Sequence, residues 1–475
     1  MCPAHKIKSK APRVSLAEAR GIRLGFRLAS TGGSVLGLGL LVGWFSFSAS
    51  AMDAIESVHA EHAQLEIGSA FEPVEKPRQL RLPGPTPQRW VYGYLPYWTD
   101  NLNTVAWDTL THVAFFDVGV DASGSLTSTS RWTSVSKRLL NRADRYGVRV
   151  HLTLTCFDAS VMEAVLNKSS KRKKLVEEVA SLVNDAGAHG VSVDFEGVPY
   201  SVKQGLVSLV EELSEEVEEV TVATPAIDWN GSFDYDALAA ASDALFIMGY
   251  GYHWSGGDPG PISPLSGGGI WGKYSLAWSV EDHMQWGAPA SRILLGLPLY
   301  GRNWPSTSNA VPGTATANGD AVVYQEAVPA AESLGRKYDT QTDTPYAFPS
   351  AKHQLWYDDL QSLRAKIRYA VDEDLLGVGF WALNYDGGDE ALWAMVREET
   401  GARETGPGSD SGLVDSEDTS REDTGTDDDT DKGSHCGCTS LSSGTSTLSA
   451  WLGVLGVLLL RRRDYGHVSP AFRKK

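Results

Sequence analysis

Eight short runs rich in β-branched and aromatic residues recur between residues 90 and 386, separated by amphipathic helical patterns. The runs are WVYGYL from Trp90, THVAFF from Thr111, VRVHLTLT from Val148, GVSVDFE from Gly190, EVTVAT from Glu219, DALFIMGY from Asp243, RILLGLPLY from Arg292 and GVGFWALNYD from Gly377. Nearly continuous apolar strands that alternate with helices are typical of a parallel sheet covered by helices. Eight such units favour an α/β fold closed into a (β/α)8 TIM barrel. A doubly wound open sheet is the alternative.

The patterns between the runs predict the covering helices. Ser134–Tyr146 is followed by Gly147, and Ser169–Ala186 is followed by Gly187, a residue type that commonly ends helices. The interval of residues 303–355 is longer than one connecting helix requires. We therefore expect a small insertion after strand seven of the barrel.

Composition separates the barrel from its flanking segments. Residues 52–87 are polar and end in a proline-rich stretch, which predicts a linker. Residues 403–435 are rich in Asp, Ser, Thr and Gly and lack aromatic residues, so they cannot bury enough apolar surface to become ordered. Residues 88–402, between these linkers, have the length that a single (β/α)8 barrel needs.

The formal net charge of −17 is concentrated in the second linker. Residues 404–432 contain 11 acidic residues, opposed by Arg421 and Lys432. Binding to phosphates needs a clustered positive surface, and this charge balance therefore excludes nucleic acid as a partner.

The first 51 residues have the organisation of an export signal. The apolar run Ser34–Phe47 follows several arginines and is succeeded by Ala49-Ser50-Ala51, a small-residue pattern typical of signal-peptide cleavage sites. We interpret residues 1–51 as a signal peptide, with an uncleaved N-terminal anchor as the alternative.

The C-terminus combines a cysteine motif, a hydrophobic helix and an arginine cluster within residues 436–463. These features are Cys436-Gly437-Cys438, an apolar run from Leu448 to Leu460, and Arg461-Arg462-Arg463, and a basic tail of residues 464–475 follows them. The apolar run is short for a membrane span, which takes roughly 20 residues. The arrangement resembles the sorting tails of myxobacterial surface proteins, which implies attachment to a membrane or cell surface. We therefore expect an exported protein, secreted or at the surface of a Gram-negative envelope.

Cysteine usage indicates neither a disulfide framework nor a metal site. Of the four cysteines, Cys156 is the one within the barrel segment, and we expect it to be buried and inert. The sequence contains no CxxC pair and no HExxH motif, so no metal ligands are predicted.

The fourth run ends in two acidic residues. Side chains alternate along a strand, so Ser192, Asp194 and Glu196 point to the same side, which in a barrel is the interior. Ionisable groups are costly to bury, and the carboxyl ends of the strands are where such barrels carry their active sites. The pattern alone is weak, because an acid here could also cap a helix or pair with an arginine.

Four segments in a fixed order strengthen this interpretation. They are HGVSVDFEG from His189, MGYGYHW from Met248, HQLWYDD from His353 and FWALNYD from Phe380. Together they resemble glycoside hydrolase family 18, which includes chitinases and bacterial wall-lytic enzymes, and the resemblance spans roughly residues 88–400. The stretch SGGDPGPISPL from Ser255 is similar to members that act on peptidoglycan or spore cortex.

The resemblance implies a role for each matching residue and requires no cofactor. Glu196 would be the general acid, and the 2-acetamido oxygen of the substrate would replace a carboxylate nucleophile. Asp194 would orient the acetamide, Tyr250 would donate a hydrogen bond to it, and Trp381 would form the floor of the subsite for the reacting sugar.

Three positions depart from the family pattern. His189 and Ser192 replace the first two aspartates of the signature, and Gly251 replaces the aspartate that follows the tyrosine. Ser192 cannot share a proton with Asp194, so Asp194 should titrate as a nearly independent group. Gly251 weakens the case for ordinary chitinase specificity.

Aromatic residues follow several strands at the same end of the barrel, where rings could stack on pyranose faces. The candidate substrate-binding residues are Trp381, Tyr94, Trp98, Tyr252, Trp254 and Asp228. About half of the loop aromatics would instead serve packing.

These observations favour a monomeric, retaining, substrate-assisted glycosidase that cleaves β-1,4-linked N-acetylglucosamine glycans such as chitin. One alternative is a peptidoglycan N-acetylglucosaminidase. The other is a surface lectin that binds such polysaccharides without cleaving them. The presence of Glu196 and Tyr250 favours an enzyme. Because Ser192 and Gly251 depart from the family pattern, the lectin stays an alternative.

Overall fold

The computed structural model of the protein describes residues 57–64 and 88–401. The predicted signal peptide, acidic linker, sorting tail and basic tail lie outside these residues. Among the helices that are described, none is both long enough and apolar enough to cross a membrane.

The strands and helices alternate through most of the described chain. The strands are β1 (Trp90–Pro96), β2 (His112–Val120), β3 (Leu126–Thr127), β4 (Arg149–Cys156), β5 (Gly190–Phe195), β6 (Glu219–Pro225), β7 (Ala244–Met248), β8 (Ile293–Pro298), β9 (Tyr300–Pro305), β10 (Asp320–Val323), β11 (Lys337–Asp339), β12 (Thr344–Ser350), β13 (His353–Trp356) and β14 (Gly377–Trp381). The helices are α1 (Val58–Gln64), α2 (Thr129–Asp144), α3 (Ala159–Leu166), α4 (Ser169–Ala186), α5 (Lys203–Ser214), α6 (Tyr235–Ala241), α7 (Leu276–Gln285), α8 (Tyr324–Ser333), α9 (Leu360–Asp372) and α10 (Glu390–Thr400).

Eight parallel strands form a closed barrel. Their order around the barrel is β1-β14-β8-β7-β6-β5-β4-β2, and β2 pairs with β1 to complete the ring. Each of the eight sequence runs supplies one of these strands. The predicted TIM barrel is therefore confirmed, and the open-sheet alternative is excluded because the sheet closes on itself.

The insertion after the seventh barrel strand is a small subdomain. Five antiparallel strands pair in the order β10-β9-β13-β12-β11, and α8 lies within the same segment. The subdomain runs from Tyr300 to Trp356, which is close to the predicted interval of residues 303–355.

Two helices show how well local patterns locate helix ends. Helix α4 has the predicted bounds and ends at Gly187, whose φ of 75° is the left-handed conformation that glycine adopts without strain. Helix α2 begins five residues before the predicted Ser134, because Trp132 extends its buried stripe by one turn toward the N-terminus.

Within the predicted linker of residues 52–87, the described residues include the helix α1. The linker interpretation did not anticipate it. Because α1 contacts the carboxyl ends of the barrel strands, its side chains belong to the description of the candidate site.

Candidate active site

Strand β5 places two acidic side chains at the mouth of the barrel. Val191 and Val193 are buried on the helix-facing side, whereas Ser192 and Asp194 alternate with them toward the barrel interior. Asp194 is fully buried. The backbone N–H of Glu196 donates to the Cys156 carbonyl oxygen over 3.1 Å, so Glu196 continues the ladder beyond the strand. Its side chain is 16% exposed and is thus the more accessible of the two carboxylates.

Asp194 is held in an unusual electrostatic environment. Burial, reinforced by the nearby charge of Glu196, raises the pKa of Asp194 to about 6, although the His59 ring beside it acts in the opposite direction. One carboxylate oxygen, Oδ2, lies 2.7 Å from His59 Nδ1. The other, Oδ1, makes no hydrogen bond with any of the described residues. Asp194 therefore retains an acceptor that a ligand could use.

Ser192 lies directly below Asp194 on the same strand face. Its hydroxyl is 2.9 Å from the hydroxyl of Tyr94 on β1, and both side chains are fully buried. Strand register pairs Ser192 with Thr153 and Asp194 with Thr155 on β4. The carboxylate that the family pattern has at this position is replaced by a neutral contact between two hydroxyl groups.

Trp381, at the end of β14, is surrounded by aromatic rings. Its ring centroid lies 4.9 Å from that of Phe116, 5.8 Å from Tyr94 and 6.2 Å from Trp98. The indole of Trp98 also donates to the Tyr385 hydroxyl over 3.2 Å. The candidate residues Tyr94, Trp98 and Trp381 thus form one apolar wall and floor beside the carboxylates.

Helix α1 inserts His59 into this pocket. Its Nδ1 atom lies 2.7 Å from Asp194 Oδ2 and 3.1 Å from Glu196 Oε1, and its Nε2 atom lies 2.9 Å from the Tyr250 hydroxyl. The His59 ring also lies on Trp381, with centroids 3.8 Å apart and planes inclined by 31°. One imidazole therefore touches all four residues to which the sequence assigns chemistry.

The charge state of His59 follows from these neighbours. Although burial disfavours the cation, the carboxylates of Asp194 and Glu196 raise the pKa of His59 to about 10. Burial raises the pKa of Tyr250 well above its ordinary value, so that hydroxyl keeps its proton. At neutral pH, His59 is consequently an imidazolium that lies between the side chains of Asp194 and Glu196 and a neutral phenol.

Ser57, immediately before α1, and Glu61 and His62 within it make further polar contacts at the pocket. The Ser57 hydroxyl donates to Glu196 Oε1 over 2.5 Å. Trp381 Nε1 donates to His62 Nδ1 over 3.0 Å. The guanidinium of Arg302 on β9 donates to both carboxylate oxygens of Glu61 over 2.6 and 2.8 Å. This bidentate pair is largely buried, and it fixes α1 at a second point.

Three other candidate residues do not contact the carboxylates through any described hydrogen bond or ring contact. The Tyr252 hydroxyl is 2.6 Å from Ser279 on α7, Trp254 is partly exposed in the loop after β7, and Asp228 accepts from the Phe233 N–H. Binding roles for Tyr252, Trp254 and Asp228 stay predictions.

The segment HQLWYDD joins the insertion to the barrel. Asp359 caps α9 and forms a reciprocal capping box with Ser362. Asp358 forms a fully buried ion pair with Lys366. In this structure, Asp359 stabilises the first turn of α9 and Asp358 pairs with Lys366, and neither acid reaches the pocket through described contacts.

Sequence reasoning missed several residues of the pocket. Arg302 and Tyr300 immediately follow the seventh barrel strand, and their position at its carboxyl end was the available signal. His59 and His62 are spaced three residues apart, which places them on one face of a helix, but a seven-residue polar helix gives no periodic apolar signal.

Two groups of described residues have the ligand types and spacing to hold a metal ion. One is His59, Asp194 and Glu196, and the other is His112, His151 and Glu219 near the opposite end of the barrel. In the second group, Glu219 is already paired with Arg149 over 2.7 Å, so a cation occupies one side of its carboxylate. Hydrogen bonds and ion pairs account for both arrangements.

Comparison with known proteins places the chain in a family. The sequence model described as Glycosyl hydrolases family 18 matches residues 91–386, which is more than half of the 475-residue chain. The cortical fragment-lytic enzyme of Bacillus subtilis is 23% identical over 247 residues, which cover 48% of this chain and 54% of the relative. Chitotriosidase-1 of Mus musculus is 26% identical over 255 residues, which cover 46% and 54%. The chain therefore spans about half the length of these curated relatives.

Solved structures share the fold. The chitinase of Cycas revoluta in complex with (GlcNAc)3 superimposes with a TM-score of 0.59 at 21% identity, covering 65% of this chain and 99% of that one. The Group IV chitinase of Ostrinia furnacalis in complex with allosamidin gives a TM-score of 0.60 at 18% identity, covering 67% and 100%. The closed barrel, the acids at the end of β5 and the extent of the family match lead to one conclusion: this chain belongs to glycoside hydrolase family 18.

Proposed function

We propose that the protein is a retaining, substrate-assisted glycosidase that cleaves β-1,4-linked N-acetylglucosamine glycans. The observation that carries this proposal is the convergence of Asp194, Glu196 and Tyr250 on one point above Trp381. All four contact the same imidazole, so a single small ring can reach each of them at once.

In the proposed reaction, Glu196 gives its proton to the glycosidic oxygen as the bond to the anomeric carbon breaks. The acetamide oxygen of the same sugar forms a bond to that carbon, which creates a cyclic oxazolinium ion. A water molecule then attacks the anomeric carbon and loses a proton to Glu196. The two displacements restore the original β configuration.

Asp194 and Tyr250 would position the acetamide for this attack. The Asp194 carboxylate would accept from the acetamide N–H and offset the positive charge that develops on it, and the Tyr250 hydroxyl would donate to the acetamide oxygen. Trp381 would support the apolar face of the sugar. Holding an internal nucleophile in place is an effective-molarity effect, which can lower a barrier by about 7–11 kcal/mol.

Two polymers are candidate substrates. Chitin is favoured by the likeness to proteins named chitinases, among them the Cycas revoluta enzyme. The relative named a cortical fragment-lytic enzyme, together with Gly251 in place of the family aspartate, supports peptidoglycan as a second candidate.

One assay distinguishes these possibilities. The chain is incubated with chitin oligosaccharides and with purified peptidoglycan, and products are identified by mass spectrometry. The variant His59→Ala, which removes the imidazole that lies in the pocket, is assayed in parallel. We expect soluble fragments that end in N-acetylglucosamine, and ¹H NMR should detect the β anomer first. Initial release of the α anomer would contradict the retaining mechanism. Saturable glycan binding with no products from either form would identify a lectin instead.

We further propose that the protein is exported as a monomer and reaches the cell surface through its terminal segments. The apolar run Ser34–Phe47 and the tail of residues 436–463 support this proposal. Cell fractionation and N-terminal sequencing of the mature protein test it, and a full-length cytoplasmic form would contradict it.

A further inference from the structure

We propose that residues 57–63 are an intramolecular ligand of the active site, which keeps the enzyme inactive while it is bound. The inference rests on the proposed function, because it assigns to these residues the place of the reacting sugar. It adds to that function a means of control within the same chain.

The first step of the argument is steric. Ser57 contacts Glu196, His59 contacts Asp194 and Tyr250, and the rings of His59 and His62 both lie near Trp381. A sugar bound for catalysis would contact the same side chains and would lie on the face of Trp381 that the His59 ring covers. Glycan and α1 therefore cannot occupy the pocket together.

The second step is chemical. The reaction proposed above passes through an oxazolinium, a planar five-membered ring that carries positive charge and an N–H beside Asp194. The His59 imidazolium is also a planar five-membered cation, and its Nδ1–H points at Asp194 Oδ2 over 2.7 Å. Its ring covers Trp381 where the sugar would lie. His59 thus resembles the intermediate in shape, charge and hydrogen bonding, and sites of this kind bind such species more tightly than the substrate.

The third step concerns the anchor outside the catalytic residues. Arg302 is buried, and Glu61 supplies both acceptors of its charge-assisted pair. In the described structure, its further hydrogen bond goes to the Gly319 carbonyl oxygen over 2.7 Å. Glu61 therefore neutralises a buried cation, which favours the bound position of α1.

The helix itself depends on these contacts. Seven residues are too few for a helix to be stable alone in water. Residues 65–87 connect α1 to the barrel within the same chain, so the binding of α1 is intramolecular, and the effective concentration in such cases can reach the order of millimolar. Even weak intrinsic affinity would then keep most molecules closed.

The test compares variants of the full chain. His59→Ala removes the ring from the pocket, and Glu61→Gln removes the charge that pairs with Arg302 without changing shape. Ala63→Ser, at an exposed position on the same helix, is the matched control. With a fluorogenic glycoside of the N-acetylglucosamine disaccharide, we expect His59→Ala to raise kcat/KM by about tenfold or more and Glu61→Gln to raise it by less, because the apparent affinity scales with the open fraction. Ala63→Ser should match the parent.

A second measurement separates this inference from the proposed function. A labelled peptide, SVHAEHAQ, is titrated into the His59→Ala/Glu61→Gln chain, and binding is followed by fluorescence anisotropy. We expect saturable binding that chitin trisaccharide reverses. A peptide in which alanine replaces both histidines should bind at least about tenfold more weakly.

The outcomes are distinct. If the variants hydrolyse glycan at the parental rate and the peptide does not bind, the inference is overturned and the glycosidase stands. If no form hydrolyses any glycan but the peptide binds in competition with the trisaccharide, the proposed activity fails while the assignment of residues 57–63 as a ligand of the pocket stands.

Discussion

The imidazole of His59 covers the indole of Trp381 with ring centroids 3.8 Å apart, so a residue of the N-terminal segment occupies the floor of the barrel pocket. The same imidazole bridges Asp194 and Tyr250. Hydrolysis rates measured on the parent chain will therefore depend both on the dissociation of α1 from the pocket and on the chemical step. Tests of individual catalytic residues should accordingly be made in the His59→Ala background, where the pocket is open.

Glu196→Gln should abolish hydrolysis in that background. Gln has nearly the same shape but carries no transferable proton, and general acid catalysis typically contributes about 10²- to 10⁴-fold to the rate. The measurement is kcat on the fluorogenic disaccharide. Far-UV circular dichroism and titration with chitin trisaccharide serve as controls for fold and binding. A variant that binds glycan normally and keeps parental turnover would show that another group is the acid.

Inhibition by α1 should weaken as pH rises. The groups that face His59 are Asp194 and Glu196 at the end of β5, the Tyr250 hydroxyl, the Tyr94 ring, and His62 on its own helix. The pKa of His59 is raised from 6.5 to about 10 in the bound segment, so bound α1 takes up a proton. The resulting stabilisation is complete below about pH 6.5 and is lost as pH rises toward 10.

The measurement for this prediction is a ratio. The kcat/KM of His59→Ala is divided by that of the parent at each pH, which cancels ionisations common to both forms. We expect the ratio to fall toward one between pH 6.5 and 10. A ratio that stays constant or increases over this interval would contradict the role of the imidazolium.

Local patterns predicted the parts of the fold that have strong periodicity. Strand β5 was identifiable because its apolar residues are β-branched or aromatic and alternate with Ser192 and Asp194. Helix α4 was identifiable because an amphipathic stretch ends at Gly187. The first turn of α2 was missed because its residues are polar apart from the buried Trp132, and one apolar residue gives no periodic signal.

The pocket was predictable only where strand geometry fixes side chains. Asp194 and Trp381 lie at strand ends, and closure of the barrel brings them together. Helix α1 could not be found this way, because it is short and polar and its conformation depends on contacts with the pocket. Tyr252 was grouped with the site by its position after β7. Its hydroxyl contacts Ser279 on α7, and its binding role stays a prediction.

The buried ion pair between Asp358 and Lys366 should dominate the stability of the junction between insertion and barrel. Burial raises the pKa of Asp358 and lowers that of Lys366, so each charge depends on the other. Lys366→Met should lower the free energy of unfolding by about 3–5 kcal/mol, because it leaves a carboxylate buried without its partner.

Urea unfolding followed by tryptophan fluorescence measures this effect. Lys173→Met, at an exposed position on α4, is the control and should change stability by less than about 0.5 kcal/mol. The double variant Asp358→Leu/Lys366→Met should recover part of the loss. A single variant as stable as the control would mean that Asp358 is protonated or hydrated in the parent.

The last prediction concerns Ser192, the family position at which this chain carries a hydroxyl. Ser192→Asp introduces a carboxyl two residues before Asp194 on the same strand face, next to the Tyr94 hydroxyl. In the His59→Ala background, like-charge repulsion should raise the pKa of Asp194, which burial already raises to about 6 in the closed form. The proposed role of Asp194 requires its ionised form, so the acidic limb of the pH–rate profile should move to higher pH. Ser192→Asn, which is equal in size to Ser192→Asp but without charge, should leave that limb in place.

Burial should also raise the pKa of the introduced carboxyl. The destabilisation caused by Ser192→Asp should therefore be smallest below about pH 4 and reach roughly 1–3 kcal/mol as pH rises through the raised pKa. Rates measured against pH for the three forms, together with urea unfolding at pH 4 and pH 8, decide the matter. If the pH–rate profiles of folded Ser192→Asp and Ser192→Asn are superimposable, a charge at this position does not affect the pKa of Asp194, which would contradict the strand register.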